Sequence, residues 1–132
     1  IMIVFISPIV IRILIHSYVE SKKFRIRLIQ KKSFKAKIII TTIAGNICDY
    51  LIIGDFNNGK EKKGIIISSR VHPGETMASY VMEYMIDFLT GNTLEARILR
   101  ENFIFKIIPM LNIDGVINGN YRCNLAAVDL NR

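Results

Sequence analysis

His72 and Glu75 stand three residues apart in the segment Arg70-Val71-His72-Pro73-Gly74-Glu75. An imidazole nitrogen and a carboxylate oxygen are both zinc ligands, binding at about 2.0–2.2 Å. The compact Pro-Gly turn between them lets the two side chains converge on one ion. The spacing alone recurs by chance in ordinary sequence, so what makes it a candidate site is its place in the chain. A catalytic zinc also needs a third protein ligand and an open position, where a water ionises near neutral pH. The other histidine, His16, lies in an apolar N-terminal stretch, where a satisfied core or helix-face role suits it. The pair is half a site, and no third ligand stands out.

The other residues of chemical interest lie in the polar segment from Asn118 to Arg132, which carries Arg122, Arg132 and several amides, including Asn131. A planar guanidinium donates two parallel hydrogen bonds and is suited to gripping a carboxylate. On spacing alone the two arginines are either such a clamp or ordinary surface charges.

Both groups follow segments that read as strands. Lys37–Ile43 and Tyr50–Ile53 are apolar, β-branched runs flanking a Gly45-Asn46 turn, which predicts a hairpin. After the polar loop from Asn57 to Gly64, the run Ile65–Ser69 is apolar on both faces, as in the middle of a covered sheet. The segment Arg70 to Glu75 comes directly after it. From Thr76 to Leu89, Met77, Val81, Tyr84, Met85, Phe88 and Leu89 recur at helical spacing opposite Ser79, Glu83 and Asp87, predicting an amphipathic helix ended by Gly91. Leu94–Arg100 reads as a second helix capped by Asn92 or Thr93, and Phe103–Ile108 as a buried strand stopped by Pro109. Strand, helix, strand implies a parallel pair, and sites form beyond the carboxyl ends of such strands. The glycine- and asparagine-rich Asn112–Asn120 reads as loop. The class is α/β.

The 132 residues, 51% hydrophobic and 22% charged, suit one globular domain. Residues 1–63 hold twelve Lys/Arg against four Asp/Glu, and residues 64–132 six against seven. The basic run Lys22, Lys23, Arg25, Arg27, Lys31, Lys32, Lys35 and Lys37 is either a solvated face or a means of attracting an acidic polymer. Cys48 and Cys123 have neither zinc-site nor disulfide-scaffold spacing, which favours a reducing compartment. The opening IMIVFISPIVIRILI lacks a basic n-region and a cleavage site, and Pro8 and Arg12 interrupt it. It reads as a buried strand or helix rather than a signal or membrane segment.

From about Thr41 to Arg132 the chain resembles the zinc metallocarboxypeptidases, specifically the cytosolic carboxypeptidase branch that trims glutamates from tubulin and other acidic tails. Four blocks carry the resemblance in order. They are Ala44-Gly45-Asn46; Arg70-Val71-His72-Pro73-Gly74-Glu75-Thr76 with Ala78-Ser79; Asn102 to Ile107 with Pro109-Met110-Leu111-Asn112; and Asp114 to Cys123 running on to Val128-Asp129-Leu130-Asn131-Arg132. The resemblance implies that His72 and Glu75 are the first two zinc ligands. It also implies that Arg122 polarises the scissile carbonyl, and that Asn131 and Arg132 hold the substrate's terminal carboxylate. The expected fold is a mixed, mostly buried sheet with flanking helices, an incomplete portion of the metallocarboxypeptidase fold. Residues 1–40 would lead into a catalytic portion at 41–132.

The family's third ligand, a histidine, and its general-base glutamate lie downstream of the Asn-Arg pair, so residues 1–132 alone are expected to be inactive. Ile113 replaces a common proline, and residues 1–40 match only faintly, around Phe5 to Ser17. The implied protein is a cytoplasmic enzyme with one Zn2+ and a protein or peptide substrate bearing an acidic C-terminal tail, tubulin among them, with neither nucleic acid nor membrane as partner. The contrasting expectation is a truncated or degenerate protein that binds acidic polymers through its basic half without hydrolysing them.

Overall fold

The computed structural model describes residues 34–132 apart from 58 and 60. The expectations for the apolar N-terminal stretch, for His16 and for the basic residues from Lys22 to Lys32 lie outside the described residues. The described elements are β1 (Phe34–Thr41), β2 (Ile47–Ile53), β3 (Lys63–Ser68), α1 (Met77–Thr90), α2 (Leu94–Asn102), β4 (Phe103–Ile108) and α3 (Ile113–Asn118). They form one mixed sheet in the order β1-β2-β4-β3, in which β3 and β4 are parallel and the other pairs antiparallel. No helix among the described residues is long and apolar enough to cross a membrane.

The hairpin forms as its turn residues dictate. Gly45 has φ +79, a conformation open to glycine at little cost, and Thr42 N–H donates to Asn46 O at 2.8 Å to close the loop. Strand alternation then sorts the apolar residues onto two faces. The register aligns Leu51 with Ile107 and Ile53 with Phe105, and on the parallel side Ile65 with Phe105 and Ile67 with Ile107. These six side chains make one patch, and Met82, Ile86 and Leu89 of α1 cover it. On the opposite face, Cys48, Met110, Ile113 and Val116 form a smaller cluster, with Ile108 packed against it. Burial and the neighbouring Asp49 push the Cys48 thiol up from its ordinary value, and it sits there as a neutral apolar group.

Three details differ from the sequence expectations. The stripe assigned to the core side of α1 is partly reversed, since Met77, Val81, Tyr84 and Phe88 are exposed while Met82, Ile86 and Leu89 are buried. Strand β3 stands at the end of the sheet among the described residues, with Ile66 74% exposed, so only its Ile65 and Ile67 face is packed. Asn112–Asn120 is largely helix rather than loop. Asn112 caps α3 by accepting from Gly115 N–H at 3.1 Å, and Gly119 ends it at φ +77.

The other ends follow the sequence. Thr93 caps α2 through Ala96 N–H at 3.2 Å, and α1 stops before Gly91. Arg100 Nη1 donates to Leu89 O at 2.6 Å and Gly91 O at 2.9 Å, supplying the cation that the last turn of α1 lacks.

Asp114 ties the hairpin loop to α3. Its carboxylate accepts from Thr42 Oγ1 at 2.5 Å, Asn46 Nδ2 at 2.9 Å and Ala44 N–H at 3.0 Å. Burial alone would raise its pKa, but the bonds from Thr42, Asn46 and Ala44 outweigh burial and hold it below the ordinary 3.8. The ionised form is therefore the one the fold favours. Its contribution is present above the unfolded pKa of about 3.9 and is lost as pH falls through the lower folded value. Asp114→Ala leaves three donors without their acceptor. It should cost about 2–4 kcal/mol in urea denaturation at neutral pH. The deficit relative to wild type should shrink once pH drops below about 3.9.

Candidate active site

The candidate site sits beyond the carboxyl ends of the parallel strands. After β3 the chain stays bonded to the segment that follows β4. Ser69 N–H donates to Ile108 O at 3.0 Å, and Leu111 N–H to Ser69 O at 2.9 Å. Asn112 N–H reaches Arg70 O at 3.2 Å, and Asn112 Nδ2 reaches Val71 O at 3.1 Å. The next turn, His72 to Glu75, is clasped between α3 and the loop after it. A Cβ at Gly115 would lie 2.5 Å from Pro73 Cγ, and one at Gly74 would lie 2.4 Å from the Tyr121 ring. Gly74 N–H donates to Tyr121 O at 2.8 Å. Both glycines permit an approach that a side chain would block.

Within that turn, His72 Nδ1 lies 3.0 Å from Glu75 Oε1, with the imidazole buried and the carboxylate side chain 53% exposed. The other ring nitrogen, Nε2, lies 3.0 Å from Asp129 Oδ1. Asp129 was not singled out from the sequence, and it organises the rest of the site. Its Oδ2 accepts from Arg122 Nε at 2.6 Å, and its Oδ1 from Asn131 N–H at 2.9 Å. The Asn131 N–H bond lowers its pKa most and burial opposes it. With Arg122 and His72 added, the carboxyl is held down to about 2, ionised across the neutral range. Its loop is shaped by Asn124, whose Oδ1 accepts from Ala126 N–H at 3.0 Å and Val128 N–H at 2.9 Å.

Asp129 thus links His72, Arg122 and the Asn131 backbone, and Glu75 joins through the imidazole. The Arg132 guanidinium is not drawn in, since it is exposed and bonds Asn131 O at 3.2 Å. The Nη nitrogens of Arg122 have no hydrogen-bond partner among the described residues, and its side chain is 40% exposed. Beside it, a shallow depression is lined by Asn118, Asn120, Tyr121, Arg122, Cys123 and Asn124, among others.

The donor set suits a divalent cation. An imidazole flanked by a carboxylate on each nitrogen must carry two protons, or one of the contacts sets acceptor against acceptor. A cation held by His72 and Glu75 would remove the conflict, because His72 would then donate only Nε2–H, to Asp129. A carboxylate on the outer nitrogen is the usual companion of a metal-bound histidine. Two donors of a tetrahedral zinc are about 3.3 Å apart, close to the separation seen here. Among the described residues there is no group of three or more His, Cys, Asp or Glu side chains that could hold a metal.

The turn bearing His72 and Glu75 thus lies beyond a parallel strand pair and is linked through Asp129 to a tethered Arg122. Residues 26–132 match the zinc carboxypeptidase family, Peptidase_M14, and the chain belongs to that family. It is 44% identical over 107 residues to cytosolic carboxypeptidase 3 of Bos taurus, covering 79% of this chain and 11% of the relative. Cytosolic carboxypeptidase 2 of Mus musculus is 44% identical over 108 residues, covering 79% and 12%. The chain therefore spans about a tenth of the length of these relatives. A metallo-carboxypeptidase from Burkholderia cenocepacia superposes with a TM-score of 0.80 at 31% identity, over 86% of this chain and 32% of that one. The mixed sheet with its helices is thus part of a carboxypeptidase fold, as the sequence implied.

Proposed function

We propose that the protein carrying this chain is a cytoplasmic zinc carboxypeptidase that removes C-terminal glutamate from acidic protein tails, tubulin's among them. The observation that carries this reading is the continuous chain of contacts Glu75, His72, Asp129 and Arg122 in a member of the zinc carboxypeptidase family. His72 Nδ1 and Glu75 would hold the metal, which when bound supplies a Lewis acid and an ionised water. Asp129 keeps the proton of His72 on Nε2 and so leaves Nδ1 free to coordinate. It also tethers Arg122 by Nε, so the remaining guanidinium donors face outward where a carbonyl oxygen develops charge. Asn131 and Arg132, whose exposed side chains meet no carboxylate among the described residues, are suited to the substrate's terminal carboxylate. Recognition of that group is what would restrict cleavage to the chain end. The basic first half of the sequence supports an acidic substrate through long-range attraction.

The test uses the complete protein and a peptide ending in a run of glutamates, with glutamate release followed by mass spectrometry. Release should occur with zinc, stop after chelation, and be absent for the same peptide with an amidated C-terminus. Salt-sensitive peptide binding that persists after chelation, with no release in zinc, would support the non-catalytic acidic-polymer reading instead.

A further inference from the structure

Arg70 is the most unusual residue next to the metal turn. It has φ +58, in the left-handed region, where a residue other than glycine costs about 1–2 kcal/mol. Its side chain is turned inward and is only 1% exposed, which puts it among the largest fully buried side chains. Buried cations are ordinarily paired with acids, because an uncompensated charge in the interior is costly. Here the acceptors are neutral. Nε donates to Pro73 O at 3.0 Å, Nη1 donates to Ser79 Oγ at 2.5 Å, and Nη2 has no hydrogen-bond partner among the described residues. A leucine or methionine would fill the same volume without burying a charge, so packing does not account for an arginine at this position.

What the guanidinium does is join parts that must stay in register. Pro73 lies between the two metal-facing side chains, and its carbonyl is held by Arg70 Nε. Ser79 lies in the first turn of α1, directly after Glu75 and Thr76, and is held by Nη1. The Arg70 carbonyl accepts from Asn112 N–H, which ties the same residue to the cap of α3. The rigid planar guanidinium thus fixes the peptide plane between His72 and Glu75 against the helix that follows, while the backbone carbonyl of the same residue is tied to the helix beside it. A lysine, with a single flexible ammonium, would not hold both acceptors in a fixed geometry.

We infer that Arg70 is a positioning residue for the metal site, setting the separation and orientation of His72 and Glu75 through the Pro73 carbonyl and Ser79 without touching metal or substrate. The inference rests on the zinc reading above, and its test separates the two. In the complete protein, zinc affinity is measured by chelator competition, and the visible absorption of the cobalt-substituted form reports coordination geometry. The proteins compared are wild type, Arg70→Met, Arg70→Lys, Ser79→Ala and His72→Ala.

Arg70→Met should lower zinc affinity by about 10–100-fold, the range for losing a group that orients a metal ligand. Arg70→Lys should recover only part of that loss and alter the cobalt spectrum, a change that general destabilisation of a still-folded protein does not produce. Ser79→Ala should give a smaller loss in the same direction. If Arg70→Met fails to fold, Arg70→Lys and Ser79→Ala decide the matter. Affinities for these two within about twofold of wild type, with an unchanged cobalt spectrum and with His72→Ala abolishing binding, would overturn the role of Arg70 alone. Unchanged zinc affinity in His72→Ala would remove the zinc reading itself, and this inference with it.

Discussion

His72→Ala in the complete protein lowers zinc affinity by more than about 100-fold, the most that loss of a mere outer-shell partner costs, and glutamate release falls with it. The expectation follows from where the imidazole sits. It is buried, it faces Glu75 at 3.0 Å, and its other nitrogen is already occupied by Asp129. On the proposed zinc reading, alanine removes a coordinating nitrogen, and it leaves the Asp129 and Glu75 carboxylates with no group between them. Added zinc should restore activity only at concentrations raised in proportion to the lost affinity. Equilibrium dialysis at several zinc concentrations, run beside the peptide assay, separates weakened binding from lost chemistry. A variant that binds and turns over as wild type does would mean that the metal is held elsewhere.

Asp129→Asn has the second-largest expected effect, and it acts twice. The amide cannot accept from both Arg122 Nε and His72 Nε2–H as the carboxylate does, so the imidazole loses its orienting acceptor and Arg122 its tether. Zinc affinity should fall by about 10–100-fold. At saturating zinc, turnover should remain depressed, because Arg122 no longer presents its donors in one direction. This residual defect distinguishes Asp129 from a residue that serves the metal alone. The wild-type carboxyl is lowered to about 2 by the Asn131 N–H bond first, with Arg122 and His72 adding to it against burial. It therefore stays charged throughout the neutral and mildly acidic range. What it contributes is present above the ordinary carboxylate pKa and is lost only as pH falls through that low value. Recovery of full turnover by Asp129→Asn in excess zinc would show that Arg122 needs no tether.

The sequence was most legible where a local signal had one physical meaning. The Gly45-Asn46 turn between two β-branched runs points to a hairpin, and Asn92 or Thr93 ahead of Leu94 to a cap, which the structure gives to Thr93. Helix α1 was found, but its inward face was not. It carries nine large apolar or aromatic residues among fourteen, and with so much of the circumference apolar, periodicity cannot choose the stripe that meets the sheet. The choice falls to Met82, Ile86 and Leu89 because they meet the patch of Leu51, Ile53, Phe105 and Ile107.

Around helix α3 the clustered glycines and asparagines point to loop, and six residues, less than two turns, are too few to show a helical period against them. Yet the asparagine and glycine that suggested a loop are its caps, and Ile113 and Val116 lie three apart on its buried side. His72 and Glu75 were legible as a pair because a turn brings them together locally. Asp129, 57 residues from His72, was not, since only the fold carries it there. One signal was available: a metal-bound histidine needs an acceptor on its outer nitrogen, and after Glu101 the sequence has only Asp114 and Asp129 as acids. Arg70 gave no signal at all, since neither its burial nor its left-handed backbone can be read from residue type.

The most direct test is an anomalous-scattering map at the zinc absorption edge from crystals of the complete, zinc-loaded protein. A zinc site at this turn predicts one strong peak within about 2.0–2.2 Å of both His72 Nδ1 and a Glu75 carboxylate oxygen, with His72 Nε2 still turned to Asp129. A zinc peak elsewhere, with His72 Nδ1 still bonded to Glu75, would contradict it.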